Sequence, residues 1–128
     1  MRLDWLTDPA RERAALSGAD PHALTAACAL MAAAEGADPP GIRARLDGLG
    51  DPRAFDDTLE RLRGDAAVAD EEALAAVRVA KGDVEEAKRV ARGCCALATA
   101  DGDLSPAQAD TARRVCEALN LSPTQFGL

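Results

Sequence analysis

Side chains capable of catalysis or metal binding are scarce in this sequence. There are four cysteines, Cys28, Cys94, Cys95 and Cys116, and one histidine, His22. Zinc sites use cysteine and histidine pairs at short, regular spacing, and these five residues do not form such pairs. Adjacent residues of a helix point to different sides, so Cys94 and Cys95 are poorly placed to chelate one ion. We interpret Cys28, Cys94 and Cys116 as small buried apolar residues, with a redox or metal role as the alternative.

The acidic segment 101–106, Asp-Gly-Asp-Leu-Ser-Pro, has the composition of a cation-binding loop. An EF-hand calcium loop also contains an Asp-Gly pair, with the glycine at position 6. Placing Gly102 at that position puts Leu97, Thr99 and Gln108 at positions 1, 3 and 12, where oxygen ligands are needed. Three expected donors are therefore missing or weakened, and the segment is not an EF-hand.

The charge balance excludes some functions. The formal net charge is −7, and the arginines alternate with acids instead of forming a basic face. Binding to nucleic acid or to an anionic lipid surface requires such a face, so we expect neither. The longest nearly apolar run, Ala23 to Ala34, is well short of the roughly 20 residues that span a bilayer. No signal-peptide pattern is present at the N-terminus, and we expect a cytoplasmic protein.

The elements that must position these residues are helices. Alanine is abundant, β-branched and aromatic residues are few, and six of the seven prolines follow an Asp or Ser, which is the pattern of a capped helix start. Asp70 and Asp83 indicate further starts, and Ser105 and Ser122 begin capping boxes with Gln108 and Gln125. We predict helices at about 9–17, 21–35, 39–47, 52–63, 71–81, 84–100 and 106–119, a short turn from 123, and a loop at 64–70.

The two ends of the chain resemble each other. The segment from Cys28 to Gly36 aligns with the segment from Cys94 to Gly102, and each is followed by a capped proline, a helix and a second capped proline. We therefore predict an all-α fold: one domain over residues 1–128, a compact bundle of about seven short helices with an internal pseudo-two-fold repeat. The half-repeats are roughly 21–63 and 84–128. Trp5, with Leu3 and Leu6, is expected to pin the N-terminal segment onto the core, with a partner-facing role as the alternative.

The second half resembles the TerB-like (tellurite-resistance) family. The features are an apolar helix ending Ala-x-Ala-Asp101-Gly102, then x-Leu-Ser-Pro, a second helix ending Ala-Leu-Asn-Leu121, and Ser-Pro-x-x-Phe126. The match is detailed over residues 84–126 and weaker over 21–55. The resemblance implies an all-helical fold of two halves, a bacterial tellurite-resistance or stress setting, cytoplasmic placement, and acidic loop residues that bind a cation or a partner.

The resemblance also selects the candidate site. Asp101 and Asp103 occupy the family's acidic loop, and Glu35 takes the corresponding place in the first half, so these three are the predicted metal ligands. The sequence departs from the family at Gln108, where glutamate is frequent, and the first loop lacks the Leu-Ser element. In the alternative interpretation, Asp103 and Ser105 only cap helix 106–119, and Asp101 is solvated.

Three functions follow from these observations. The first is a non-enzymatic stress-response or tellurite-resistance interaction module that binds a protein partner. The second is a divalent-cation-binding module that uses Asp101, Asp103 and Glu35; apart from such a cation, no cofactor is predicted. The third, an enzyme or redox protein using Cys94 or Cys95, is disfavoured because His22 is remote and the basic neighbours of these thiols are limited to Arg89 and Arg92. The sequence indicates neither the partner nor the oligomeric state.

Overall fold

The computed structural model describes residues 1–128 and contains helices and loops only. Seven α-helices follow in chain order: α1 (Pro9–Ala14), α2 (Pro21–Ala33), α3 (Pro39–Leu46), α4 (Pro52–Gly64), α5 (Ala66–Val77), α6 (Val84–Ala98) and α7 (Pro106–Ala118). Short 3-10 helices lie at Arg78–Ala80 and Pro123–Phe126. The predicted all-α bundle of about seven short helices is confirmed.

Helix α2 forms the centre of the bundle. Ten of its 13 residues are buried, and it packs against α3, α4, α5, α6 and α7. Six of its 13 side chains are alanine, which lets the neighbouring helices approach closely. A helix that is apolar all round must be enclosed in this way, because it has no face to offer to water. The surrounding helices complete one hydrophobic core of 37 buried residues.

Aspartate and serine side chains begin the helices as the sequence predicted. An aspartate carboxylate accepts a backbone N–H bond at the start of five helices, and proline follows it in four of them. At the start of α7, Ser105 and Gln108 exchange hydrogen bonds as a complete capping box. These caps satisfy donors that have no partner within the helix, so local sequence determines where these six helices begin.

The predicted loop at 64–70 is wrong. Gly64 stays helical as the last residue of α4, and α5 begins at Ala66, without a side-chain cap. Asp70, predicted as a helix start, lies inside α5 and pairs with Arg114 of α7. The extra turn forms because alanine favours helix and because Ala69 is buried in the core.

Two smaller expectations about the second half have different outcomes. The capping box predicted at Ser122 is absent, because the Ser122 hydroxyl pairs with that of Thr124 at 2.8 Å and the segment is a four-residue 3-10 helix. The internal repeat stays a prediction. In its support, Gly36 and Gly102 follow α2 and α6 with nearly the same left-handed φ, 84° and 88°.

No helix combines the length and apolar character that crossing a lipid bilayer requires.

Candidate functional site at the acidic loop

The loop that carries Asp101 and Asp103 leaves the C-terminal end of α6, which three other elements hold in place. Arg13, Arg45 and Gln108 donate hydrogen bonds to the carbonyl oxygens of residues 96, 97 and 98, at 3.2, 2.8 and 3.2 Å. Burial, and then the charge of Arg13, lower the pKa of Arg45. The cations also oppose the negative end of the helix dipole. The loop therefore starts from a fixed point.

The side chain of Thr99 organises the first turn of this loop. Its buried hydroxyl lies 3.0 Å from Asp101 Oδ1 and accepts a hydrogen bond from the Gly102 N–H at 3.2 Å. Asp101 Oδ1 also accepts the backbone N–H of Asp103 at 3.0 Å. This backbone bond, followed by the Thr99 hydroxyl, lowers the pKa of Asp101. Asp101 is exposed, and its charge stabilises the local turn.

Asp103 is exposed and faces the N-terminal segment. Its Oδ1 lies 2.9 Å from the ammonium nitrogen of Met1, and its backbone forms an antiparallel bridge with Arg2. The cap of α7 is made by Ser105 and Gln108. The alternative in which Asp103 caps this helix is therefore wrong, whereas the part of it that concerns Ser105 is confirmed.

Glu35 lies in the loop after α2, beside the acidic loop. The Ser105 hydroxyl donates a hydrogen bond to the backbone oxygen of Glu35 at 2.7 Å. Gly36 approaches so closely that a Cβ atom at this position would lie 2.9 Å from Ser105 Cβ. The structure thus places the two loops side by side, as a site shared between Asp101, Asp103 and Glu35 requires.

The carboxylates themselves are not gathered around a common point. No group of three or more His, Cys, Asp or Glu side chains has an arrangement that could hold a metal ion. Asp101 Oδ1 accepts from the loop, whereas Asp103 Oδ1 accepts from the Met1 ammonium. Cation binding by Asp101, Asp103 and Glu35 stays a prediction, and it would require these side chains to reorient toward one another.

Comparison with known protein families gives a match over most of the chain. A family model described as "Tellurite resistance protein TerB" matches residues 22–128, which is most of the chain. The chain belongs to the TerB family. Neither the comparison with curated proteins nor that with solved structures found a match. The part that matches TerB includes both loops and the C-terminal turn.

An N-terminal segment, residues 1–6, lies on the acidic loop of this TerB chain. It is extended at its first two residues and then turns, and the Leu6 N–H donates to the Leu3 carbonyl oxygen at 3.1 Å. The Leu104 N–H donates to the Met1 carbonyl oxygen at 2.8 Å, and Arg2 Nη1 donates to the carbonyl oxygen of Asp101 at 3.2 Å. Gly102 faces the carbonyl oxygen of Leu6 so closely that a Cβ atom would collide with it. Sequence reasoning missed this contact, because nothing in the local pattern links residues about a hundred positions apart.

Trp5 fixes the middle of the segment against the C-terminal turn. Its Nε1–H donates to the Phe126 carbonyl oxygen at 2.8 Å, and the two rings meet edge to face with centroids 6.4 Å apart. The guanidinium of Arg92 lies 4.4 Å from the Trp5 ring centroid. Leu3 and Leu6 are fully buried. The expectation that these three residues pin the segment to the core is confirmed.

All four cysteines are buried, including Cys95. Burial raises the pKa of Cys28 above its ordinary range and raises that of Cys116 to about 12. The neighbouring Cys95, followed by burial, raises the pKa of Cys94. A nucleophilic cysteine requires the thiolate, and these surroundings favour the thiol. His22 is exposed at the start of α2.

Proposed function

We propose that this TerB chain is a non-enzymatic interaction module of a bacterial tellurite-resistance or stress-response system, acting in the cytoplasm. Its protein partner binds the surface formed by the two adjacent loops. The observation that carries this proposal is the contact between Ser105 and Glu35, which joins the loops into one surface. Asp101, Asp103 and Glu35 are exposed on that surface.

The surface is suited to recognition because it is both charged and held in place. The capped end of α6 and the Thr99 hydrogen bonds fix the loop backbone, so little conformational freedom is lost when a partner binds. Complementary charge speeds association and selects among partners. A partner with a basic patch therefore fits this surface, and an acidic polymer such as nucleic acid does not.

The non-enzymatic part of the proposal is supported by the state of the cysteines. They are the strongest nucleophiles in the chain, and all four are buried. The pKa values of Cys28, Cys94 and Cys116 are raised. Replacing both Cys94 and Cys95 by serine should leave tellurite tolerance unchanged in cells that depend on this protein. A loss of tolerance, with the variant still folded, would instead support a redox role.

The interaction is tested by capturing partners from the native cytosol with three forms of the chain. One is unmodified, and the loop variant carries Asp101→Asn, Asp103→Asn and Glu35→Gln. The control variant carries Asp57→Asn, Glu60→Gln and Glu117→Gln, which remove the same charge from exposed positions on α4 and α7. We expect one or more proteins that the unmodified and control chains recover equally and the loop variant recovers at least tenfold less. Equal recovery by all three forms, or nothing above background, would overturn the proposal.

Divalent-cation binding is the second candidate function. It is favoured by the adjacency of the two loops and by the lowered pKa of Asp101, which keeps that carboxylate ionised. Calcium and magnesium prefer such oxygen ligands. Metal-stripped protein would be titrated with calcium, magnesium, manganese and zinc by calorimetry. Saturable heat that an Asp101→Asn/Asp103→Asn variant loses supports a cation site, and absence of heat with every ion rejects it.

A further inference from the structure

We infer that the groove between the acidic loop and the C-terminal turn is a binding site for a short peptide that begins extended and then turns. Residues 1–6 occupy it in this conformation within the same chain. The groove is formed by residues 101–104 on one side and 123–128 on the other. The inference rests on the proposed function and deepens it, because it specifies the chemistry of the partner segment. That segment would begin extended and then turn, with a basic residue followed by apolar and aromatic residues.

The first two residues of the segment pair with the acidic loop as an added strand would. Leu104 donates its N–H to the Met1 carbonyl oxygen, and Asp103 and Arg2 form an antiparallel bridge. Such main-chain bonds are available to any extended segment, because they do not depend on side-chain identity. Gly102 makes the approach possible, since a side chain there would strike the backbone of Leu6. The acidic loop therefore offers backbone groups that can pair with the first residues of a bound peptide.

The side-chain contacts select the sequence of the occupant. Leu3 and Leu6 are 1% and 0% exposed and belong to the hydrophobic core, so both side chains pack among apolar neighbours. Trp5 lies between Arg92 and Phe126 and donates its indole N–H to a backbone oxygen. Buried apolar contacts around an aromatic side chain are typical of the residues that contribute most of the free energy of binding.

Charge favours a basic residue at the start of the occupant. Arg2 donates to the Asp101 carbonyl oxygen, and its charge lies close enough to contribute to the lowered pKa of Asp101. The occupant pattern is therefore basic, apolar, any residue, aromatic, apolar, as in Arg2 to Leu6. The acidic loop is part of the proposed partner surface, and it also binds the basic residue at the start of the segment.

The groove and its occupant differ in their relation to the family. The TerB match covers residues 22–128, so it includes both walls of the groove and excludes the segment that fills it. The segment is joined to α1 only by Thr7 and Asp8, both exposed. A short tether gives it an effective concentration on the order of millimolar, so a competing peptide is favoured when one internal anchor is weakened.

The test uses the full chain and a synthetic peptide of residues 1–7, labelled at its C-terminus and followed by fluorescence anisotropy. The proteins are the unmodified chain, Trp5→Ala, Arg2→Ala and, as a matched control, Val68→Ala at an exposed position on α5. We expect Trp5→Ala and Arg2→Ala to bind the peptide at least tenfold more tightly than the unmodified chain and the control. A peptide carrying Leu3→Asp and Leu6→Asp should not bind any of them.

Lack of binding to either segment variant at millimolar peptide, with circular dichroism showing both folded, would overturn the inference. Residues 1–6 would then be a permanent part of the fold. Arg2 is exposed, so its variant keeps the test valid if Trp5→Ala fails to fold. The peptide experiment contains no cellular partner. A negative result beside successful partner capture would reject the groove alone, and peptide binding without partner capture would reject the proposed surface alone.

Discussion

Asp101 stabilises the acidic loop through bonds that only its ionised form makes fully. The carboxylate accepts the N–H of Asp103 and the hydroxyl of Thr99, and these bonds lower its pKa. A carboxyl group whose pKa is lower in the folded than in the unfolded state binds fewer protons when folded. Its contribution to stability is therefore present above about pH 4, the ordinary aspartate pKa, and is lost as the pH falls through the folded-state value.

Replacing Asp101 by asparagine should therefore reduce the acid sensitivity of the protein. Urea unfolding between about pH 2 and 6 would measure the free energy of unfolding of the unmodified chain, Asp101→Asn and the control Asp57→Asn, an exposed position on α4. We expect a shallower loss of stability below pH 4 in Asp101→Asn than in the control. Identical pH profiles would show that the loop bonds do not depend on the charge.

Gly102 is needed both for its backbone conformation and for the space beside it, and two other glycines separate these effects. Gly48 has a similar φ, 85°, with open space around it, and Gly82 has open space without a left-handed φ. We expect Gly82→Ala to be nearly neutral and Gly48→Ala to cost about 1–2 kcal/mol, the penalty for a left-handed alanine. Gly102→Ala should cost more than Gly48→Ala, because its Cβ also displaces Leu6.

Thermal unfolding of the three alanine variants would check this order. The position of the N-terminal segment would be followed through Trp5, the only tryptophan in the chain. Gly102→Ala should shift the Trp5 emission, and the other two variants should not. Equal stability of Gly48→Ala and Gly102→Ala would mean that the segment does not lie on the loop in solution.

At the scale of the element, the end of α6 depends on cations from other helices. Arg45→Met keeps much of the side-chain volume but removes the hydrogen bond to Leu97 and the charge at the helix end. We expect the free energy of unfolding to fall by about 1–2 kcal/mol. Urea unfolding would measure it, with Arg53→Met, at an exposed position near the start of α4, as the control. An equal effect of both substitutions would contradict a capping role for Arg45.

Helix starts were predictable from sequence, whereas the ends and partners of several elements were not. An Asp-Pro or Ser-Pro start is encoded within about four residues, so Asp8, Asp20 and Ser105 were predicted correctly as caps. The start of α5 was missed because it has no side-chain cap and depends on burial of Ala69 against other helices. Burial of that kind is decided by the tertiary structure, which overrides local signals.

Part of the candidate site was likewise predictable from local sequence, and part of it was not. The position of Asp101 and Asp103 in a loop between two helices followed from the local motif and the family resemblance. The contact of Ser105 with Glu35, and the contact of Asp103 with Met1, join residues 70 and 102 positions apart. No local pattern specifies such pairs, so the structure was needed to show which groups each carboxylate faces.

At the scale of the whole molecule, stability depends on the central helix. Leu24 is fully buried within α2, which touches most of the other helices. We expect Leu24→Ala to lower the free energy of unfolding by about 2–5 kcal/mol, a large part of the total for a domain of this size. Val68→Ala, at a position 54% exposed on α5, should change it by less than about 0.5 kcal/mol.

Hydrogen exchange would show whether the loss is shared by all helices. Since the buried residues form one core, we expect the most protected amides of α4, α5, α6 and α7 to lose protection together in Leu24→Ala. Loss of protection confined to α2 and one neighbour would show that the bundle unfolds in separate parts.

The capped end of α6 also bears on the rates of folding and unfolding. Arg13 and Arg45 lie 83 and 52 positions from the carbonyl groups they bind, so we expect these bonds to form only after long stretches of chain have closed. Contacts that form late are absent from the folding transition state, and weakening them accelerates unfolding more than it slows folding. We therefore expect replacement of either arginine to shorten the time for which the acidic loop stays folded, with little effect on how quickly it forms.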